Sequence, residues 1–310
     1  MNKENTREAE TSGIKRSKYE IDMCNGTIMD KLISFALPLM LSGVLQLMFN
    51  AVDIIVVGRF TGSQALAAVG STSALINIFT NLFIGISLGS NVLAARFYAA
   101  GKSKEMSETV HTSITIALIS GIIMAFVGAI FAKGALELMD TPDDVIDQSV
   151  LYMRIYFMGM PFFMLYNYGA AILRAVGDTK RPLLFLIISG ITNAVLNLIL
   201  VIVFGLGVAG VAIATVIAQL ISCVLVLSCL CRSQSSYRLY FNKLGIRRDY
   251  MVQIFKVGVP AGIQSVVINF SNALLQSSVN SFGSTAMAGY TAANNLLGFL
   301  YVSINSVTQA

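Results

Sequence analysis

One acidic side chain lies inside an apolar stretch of this sequence, and it is the first candidate for chemistry. Asp53 follows Ser42, Gln46 and Asn50 at spacings of four, four and three residues. Such spacings place all four side chains on one face of a helix. A carboxylate at membrane depth is costly and normally faces a protein interior or a wet cavity, so Asp53 is a functional candidate by default.

Other polar side chains fall at the depth of Asp53 when positions are counted from the segment ends at 1.5 Å per residue. They come from three further apolar segments and comprise Tyr152, Tyr156, Asn193, Asn197 and Thr215. Hydroxyl and amide oxygens around one carboxylate are what a proton site or a hard monovalent cation needs. The alternatives are structural: Asp53 can form an ion pair with Arg154, and amides and hydroxyls also serve as ordinary interhelical hydrogen bonds.

A second polar stripe lies near the end of the sequence, at helical spacing and without a charge. Its members are Ser265, Asn269, Asn272 and Gln276. An uncharged stripe fits the lining of a cavity, or a polar seam between helices, better than a proton carrier. We expect Gln46, Asn50, Asn269, Asn272 and Gln276 to line a cavity.

Residues for other chemistry are scarce. His111 is the single histidine, and the four cysteines have no paired spacing of the kind that binds metal. No HExxH motif and no pair of intramembrane aspartates occurs. We therefore predict that the protein is not an enzyme and needs no metal or organic cofactor.

The elements that must position these residues follow from composition. Of 310 residues only 12% are charged and 55% are hydrophobic, whereas soluble domains carry roughly 25% charged residues. Charge-free runs extend over 61–95, 112–132, 182–231 and 257–310, each long enough for a membrane-crossing helix. Breaks at charges, Gly and Pro give eight apolar segments, and helices are the spanning structure that fits them. We predict an all-α integral membrane protein with eight transmembrane helices.

The segments divide the chain into four parts. We expect a cytoplasmic tail over 1–31 without a signal peptide, a six-helix lobe over 32–231, a linker over 232–256, and two helices of an incomplete second lobe over 257–310. The first and seventh segments align on Pro38 and Pro260, with Asn50 on Asn272. This parallel repeat is typical of transporters with two similar halves. It projects a chain of about 450 residues, so we expect the 310-residue form not to catalyse ion-coupled export.

The distribution of Lys and Arg predicts the orientation in the membrane. Eighteen of the 21 lie in the tail and in alternate loops, against two on the opposite side. This asymmetry predicts a cytoplasmic N-terminus. It also argues against nucleic-acid binding despite the net charge of +5, because the basic residues are spread among loops that flank the membrane.

Three stretches resemble hallmark segments of the multidrug and toxic compound extrusion (MATE) family. They are VDIIVVGRFTGSQALAAVG (52–70), LRAVGDTKRP (173–182) and NAVLNLILVIVFGLGVAGVAIATVIAQ (193–219). The resemblance implies twelve helices in two six-helix lobes around a central cavity. It also implies efflux of small amphiphilic or cationic substrates by a monomeric protein of the cell membrane, with protons or sodium ions as the coupling ions that drive it.

The resemblance also implies a cation site in the first lobe. The positions that match are Asp53, Tyr152, Asn193, Asn197 and Thr215. Some members have Asp where this sequence has Asn197, and others carry an acid where it has Asn269. Two alternatives stay open: a flippase for lipid-linked saccharides, which should line its cavity with several basic residues, and a membrane fragment that does not transport.

Overall fold

The structure, a computed structural model, describes residues 27–139 and 141–280 and eight positions between 297 and 307. Every regular element in this part is helical. The α-helices are α1 (Ile28–Phe60), α2 (Ser63–Ala99), α3 (Ser103–Glu137), α4 (Asp143–Met158), α5 (Met160–Ala175), α6 (Lys180–Leu198), α7 (Gly207–Arg232) and α8 (Arg248–Asn280). Six of these, α1, α2, α3, α6, α7 and α8, are long and apolar enough to cross a membrane. The protein is an all-α, multi-pass integral membrane protein.

The fourth predicted segment, 149–173, consists of two helices that meet at Gly159. α4 and α5 have 16 residues each, and Pro161 lies in the first turn of α5. Proline lacks the N–H that would continue the hydrogen bonding of α4. A Cβ on Gly159 would lie 2.7 Å from Val216 and 2.8 Å from Oε1 of Gln219. The break therefore lets α7 approach the backbone closely.

Two predicted boundaries differ from the structure because helices continue beyond the charge-free runs. α1 begins at Ile28 and includes Asp30 in its first turn, and α8 begins at Arg248 and includes Asp249. A charged residue ends an apolar segment, but it does not have to end a helix. An acidic side chain in the first turn stabilises the helix because it interacts favourably with the positive end of the helix dipole. The predicted eighth segment, 287–310, lies largely outside the described residues.

The helices form a bundle in which α1 packs on α6, α6 on α7, and α7 on both α4 and α5. α4 and α5 pack in turn on α2 and α3, and α8 lies along α2. Two pairs of glycines make this last contact. A Cβ on Gly85 would lie 2.2 Å from Cα of Gly262, and one on Gly89 would lie 2.2 Å from the carbonyl oxygen of Ile254. Small residues of this kind allow helix backbones to touch in a membrane.

The predicted repeat corresponds to two similar helices. α1 and α8 have 33 residues each and carry an internal proline, Pro38 and Pro260. A proline inside a helix removes one backbone hydrogen bond and permits a bend. The weak sequence match between the first and seventh segments thus coincides with a match in helix length and in the position of a helix-weakening residue.

The turn in the LRAVGDTKRP stretch joins α5 to α6. Gly177 has φ 84°, a backbone conformation that favours glycine. The carboxylate of Asp178, fully buried, accepts the backbone N–H of Arg181 at 3.1 Å and pairs with its guanidinium at 3.2 Å. Arg181 also donates to Sγ of Cys229 at 3.3 Å. The stretch therefore fixes the start of α6, the helix that carries Asn193 and Asn197.

Candidate functional site

A chain of hydrogen bonds joins four of the predicted site residues across three helices. The Asn197 amide donates to Oδ1 of Asp53 and, at 3.3 Å, to Oδ1 of Asn193. The Asn193 amide donates to the Thr215 hydroxyl at 3.3 Å. Asn193 and Asn197 are buried, and Asp53 is half-buried. The chain connects α1, α6 and α7, as the shared depth of these residues predicts.

Close packing one turn away sets the distance between α1 and α6. Phe49 precedes Asp53 by four residues, and Gly190 precedes Asn193 by three. A Cβ on Gly190 would lie 1.9 Å from the ring of Phe49. Because Gly190 has no Cβ, the ring of Phe49 lies directly against the α6 backbone, about one turn from the Asp53–Asn197 hydrogen bond.

Tyr152 lies beside this chain without bonding to its carboxylate. Its side chain is buried and stacks on Tyr156, with ring centroids 6.2 Å apart and an interplanar angle of 27°. Both phenols are close enough to Asp53 to interact with its charge. In the described part of the chain Tyr152 makes no hydrogen bond to Asp53, so the two tyrosines form an aromatic wall next to the carboxylate.

Gln219 is a member of this cluster that the sequence analysis missed. It lies beside the phenol of Tyr156 and against the break at Gly159. The signal was present, since Gln219 follows Thr215 by four residues and shares its helix face. Gln219 therefore belongs to the same polar layer as Thr215.

Two buried oxygens in this cluster accept no hydrogen bond within the described residues: Oδ1 of Asn197 and Oε1 of Gln219. Buried acceptors are normally satisfied. The described residues also hold no group of three or more His, Cys, Asp or Glu side chains that would bind a metal ion. One carboxylate among neutral oxygens suits a proton or a monovalent hard cation better than a multivalent metal.

Arg154, the alternative partner of Asp53, points elsewhere. Its Nε donates to the carbonyl oxygen of Ala129 at 3.2 Å, and its side chain is exposed. Among the described residues it makes no ion pair with Asp53. The structural ion pair considered as an alternative is therefore not formed in this structure, and Asp53 has an amide as its partner.

The residues predicted to line a cavity are exposed wherever the structure describes their side chains. Gln46 and Asn50 are exposed on α1, and Asn269 and Asn272 are exposed on α8. The Asn269 amide donates back to the carbonyl oxygen of Ser265 at 2.8 Å. The side chain of Gln276 is outside the described residues. The lining role of all five stays a prediction.

Known proteins resemble this chain in sequence and in fold. The family described as MatE matches residues 38–199. The probable multidrug resistance protein YoeA of Bacillus subtilis (strain 168) is 36% identical over 275 residues, which cover 86% of this chain and 59% of YoeA. YpnP of the same strain, also described as a probable multidrug resistance protein, is 28% identical, with 89% and 61% covered.

Solved transporter structures share the fold. A MOP superfamily transporter from Pyrococcus furiosus superposes with a TM-score of 0.87 at 21% identity, over 95% of this chain and 66% of the other. At that identity the likeness shows the fold alone. The chain spans about three fifths of the curated relatives it matches, 59% of YoeA and 61% of YpnP. With the matched family and these relatives, the chain belongs to the MATE (MatE) family of membrane transporters and is not an enzyme.

Proposed function

We propose that this chain carries the ion-coupling lobe of a secondary active exporter of small amphiphilic or cationic molecules. Protons or sodium ions flow inward in exchange, and Asp53 binds them. The observation that carries the proposal is the hydrogen-bonded chain from Asp53 to Thr215, which gathers one intramembrane carboxylate and three neutral polar side chains. The relatives described as multidrug resistance proteins support the substrate class.

The electrostatics of Asp53 favour an ion-binding role. A carboxylate surrounded by apolar helices and lacking a cationic partner among the described residues is stabilised by a bound proton or cation. The Asp53 carboxylate, Oδ1 of Asn197 and the Thr215 hydroxyl are the groups that would hold a sodium ion. Occupancy then changes the free energy of exposing this layer to either side, which biases the protein between two conformations. The lobes alternate access to the substrate in this way.

The proposed orientation places the N-terminus and the linker between α7 and α8 in the cytoplasm. The excess of eighteen Lys and Arg over two supports it. The protein acts in the cell membrane as a monomer. In this orientation Asp53 lies near the outer end of α1, so an ion from outside reaches it over a short distance.

Ion binding is tested by measuring the melting temperature of the detergent-solubilised chain. The measurement is made in a sodium salt, in the salt of a large organic cation as the reference, and over a range of pH. We expect sodium or protons to raise the melting temperature of the native chain and to leave the Asp53→Asn variant unchanged. An asparagine keeps the shape and can still accept the Asn197 hydrogen bond, so folding is retained. The matched control is Asp249→Asn, which removes an exposed carboxylate from α8 and should keep the full ion response.

Transport is tested in proteoliposomes, with sodium and proton gradients imposed separately on a chain of the relatives' length. We expect Asp53→Asn to abolish gradient-driven efflux of a cationic dye while Asp249→Asn retains it. An Asp53→Asn protein that is strongly destabilised, and that recovers both stability and efflux on a second change Arg154→Gln, would refute the coupling role. Gradient-driven efflux that survives Asp53→Asn would refute it as well.

A further inference from the structure

Backbone hydrogen bonds fix the segment between α7 and α8 to the N-terminal part of α3. The N–H of Tyr240 donates to Nε2 of His111 at 3.1 Å. Nδ1 of His111 lies 2.6 Å from the carbonyl oxygen of Ser107, which can only accept, so this nitrogen carries the proton. The N–H of Arg247 donates to the Thr112 hydroxyl at 3.3 Å. The segment thus has one defined position on the bundle.

Side chains alternate along this extended segment. Tyr237 and Leu239 are buried, whereas Arg238 and Tyr240 point outward. A 3₁₀ turn, Phe241–Lys243, follows and brings Lys243 back towards Tyr240. Alternate burial in an extended chain places the outward residues on one side.

Two cations converge on the exposed ring of Tyr240. Cζ of Arg238 lies 4.9 Å from the ring centroid and Nζ of Lys243 lies 5.0 Å from it. His111 stacks on the same ring, with centroids 6.3 Å apart and an interplanar angle of 7°. We call Arg238, Tyr240 and Lys243 the Tyr240 platform. Its cations are held by aromatic contacts that leave N–H donors free for an anion.

The platform has positive charge without a matching carboxylate. Among the described residues Arg238 and Lys243 form no ion pair, whereas the nearby Arg247 pairs with Glu108 at 3.4 Å. Two exposed cations beside one ring raise the local positive potential, which attracts an anion. A phosphate has the charge that complements the platform.

The position of the platform places it at the membrane surface. The segment connects the end of one candidate span, Gly207–Arg232, to the start of another, Arg248–Asn272. Beside the two cations, Phe241 is 59% exposed and Ile246 is 44% exposed. Large exposed apolar side chains next to basic ones are typical of segments that insert at the boundary between lipid headgroups and acyl chains.

We propose that the Tyr240 platform is a binding site for the headgroup of an anionic phospholipid. Arg238 and Lys243 hold the phosphate through charge-assisted hydrogen bonds, and Phe241 enters the acyl region beside it. The site lies outside the Asp53 cluster and does not depend on the proposed ion exchange. Its occupant ties the linker, and with it the start of α8, to the bilayer surface.

The test is calorimetric titration of the detergent-solubilised chain with three probes: short-chain phosphatidylglycerol, phosphatidylcholine with the same acyl chains, and free glycerol phosphate. We expect phosphatidylglycerol to bind and the other two to bind at least tenfold more weakly. The double variant Arg238→Gln/Lys243→Gln should weaken phosphatidylglycerol binding on the order of 30-fold, because two surface cations are lost.

The matched control is Lys102→Gln/Lys104→Gln, which removes the same charge from two exposed positions, one just before α3 and one in its first turn. It should keep phosphatidylglycerol affinity within about threefold. The variant Arg238→Lys/Lys243→Arg, which keeps both charges, should bind like the native chain. An unchanged melting temperature of Arg238→Gln/Lys243→Gln shows that its loss of binding is not a loss of folding.

Three outcomes would overturn the proposal. Equal weakening by the platform and control variants would mean that general charge attraction binds the lipid. Glycerol phosphate that binds as tightly as phosphatidylglycerol would mean that the platform takes a free anion. Absence of phosphatidylglycerol binding by the native chain would mean that the platform does not bind the headgroup.

Discussion

The glycine contact between α2 and α8 predicts that the small residues there hold α8 against α2. The perturbation is Gly85→Ala/Gly89→Ala, which adds one methyl group at each position. Each Cβ would lie 2.2 Å from backbone atoms of α8, Cα of Gly262 or the carbonyl oxygen of Ile254. A backbone atom cannot rotate away as a side chain can, so α8 must move by about 1 Å or more to restore ordinary contact.

The magnitude follows from overpacking, which destabilises by about 1–3 kcal/mol per site. Alanine also stabilises a helix by about 1 kcal/mol relative to glycine, which masks part of the effect. A matched double variant, Gly70→Ala/Gly134→Ala, gains the same propensity at two helical glycines whose added Cβ would meet no atom within 4 Å. The difference between the two double variants isolates packing, and we expect about 2–6 kcal/mol in the free energy of unfolding.

The assay is unfolding of each purified variant by titration with SDS in mixed micelles, followed by far-ultraviolet circular dichroism. We expect the Gly85/Gly89 variant to unfold at a clearly lower SDS fraction than the native chain, and the Gly70/Gly134 variant at the same fraction or a higher one. Equal stability of the two double variants would show that α2 and α8 do not touch through these glycines, and the reasoning would fail.

Three further predictions follow from other contacts. His111→Ala removes the acceptor of the Tyr240 N–H, at about 1–3 kcal/mol for a hydrogen bond lost from a buried partner; limited proteolysis should cut the linker faster, and an unchanged rate would contradict the contact. Gly190→Ala should separate α1 from α6 and abolish the ion-dependent rise in melting temperature, which an unaltered response would disprove. Cysteines placed singly at Ser17 and Ser236 should resist impermeant thiol reagents in intact cells, because both lie on the basic side; labelling from outside would reverse the orientation.

The helical fold was predictable from local properties. The apolar runs are long and free of charge, which indicates that they cross the membrane. Their backbone groups must then form hydrogen bonds within each segment, and a helix does this. The break at Gly159 was not, because it depends on α7 packing against the glycine and on Pro161 at one position. The extra turns before 32 and before 257 were also missed, since charge marks the edge of the membrane rather than the end of a helix.

The polar layer was predictable because the depth of a residue in the membrane follows from its distance along the helix, at about 1.5 Å per residue from the segment end. Asp53, Asn197, Asn193 and Thr215 were placed at one level from segment ends, and the structure joins them by hydrogen bonds. Which side chains within the layer contact each other depends on how the helices pack, and depth does not give this. Depth alone could not decide between Asn197 and Arg154 as the partner of Asp53. The structure shows the bond to Asn197 beside a close approach of α1 to α6 at Phe49 and Gly190, which are far apart in sequence.

α1 carries Asp53, and it is the helix that we expect to move when a proton or cation binds to this carboxylate. Only 22% of its apolar window is buried, against 44% for α2 and for α7, and its packing is mainly on α6. The Asn197–Asp53 hydrogen bond holds the second half of α1 together with the Phe49–Gly190 contact and the buried Val56 and Val57. A charge-assisted hydrogen bond is roughly twice as strong as a neutral one, so a proton on Asp53 weakens this contact while leaving the better-packed helices unaffected. Under the proposed exchange, α1 is the helix that responds to ion occupancy, and α2 and α7 form the frame against which it moves.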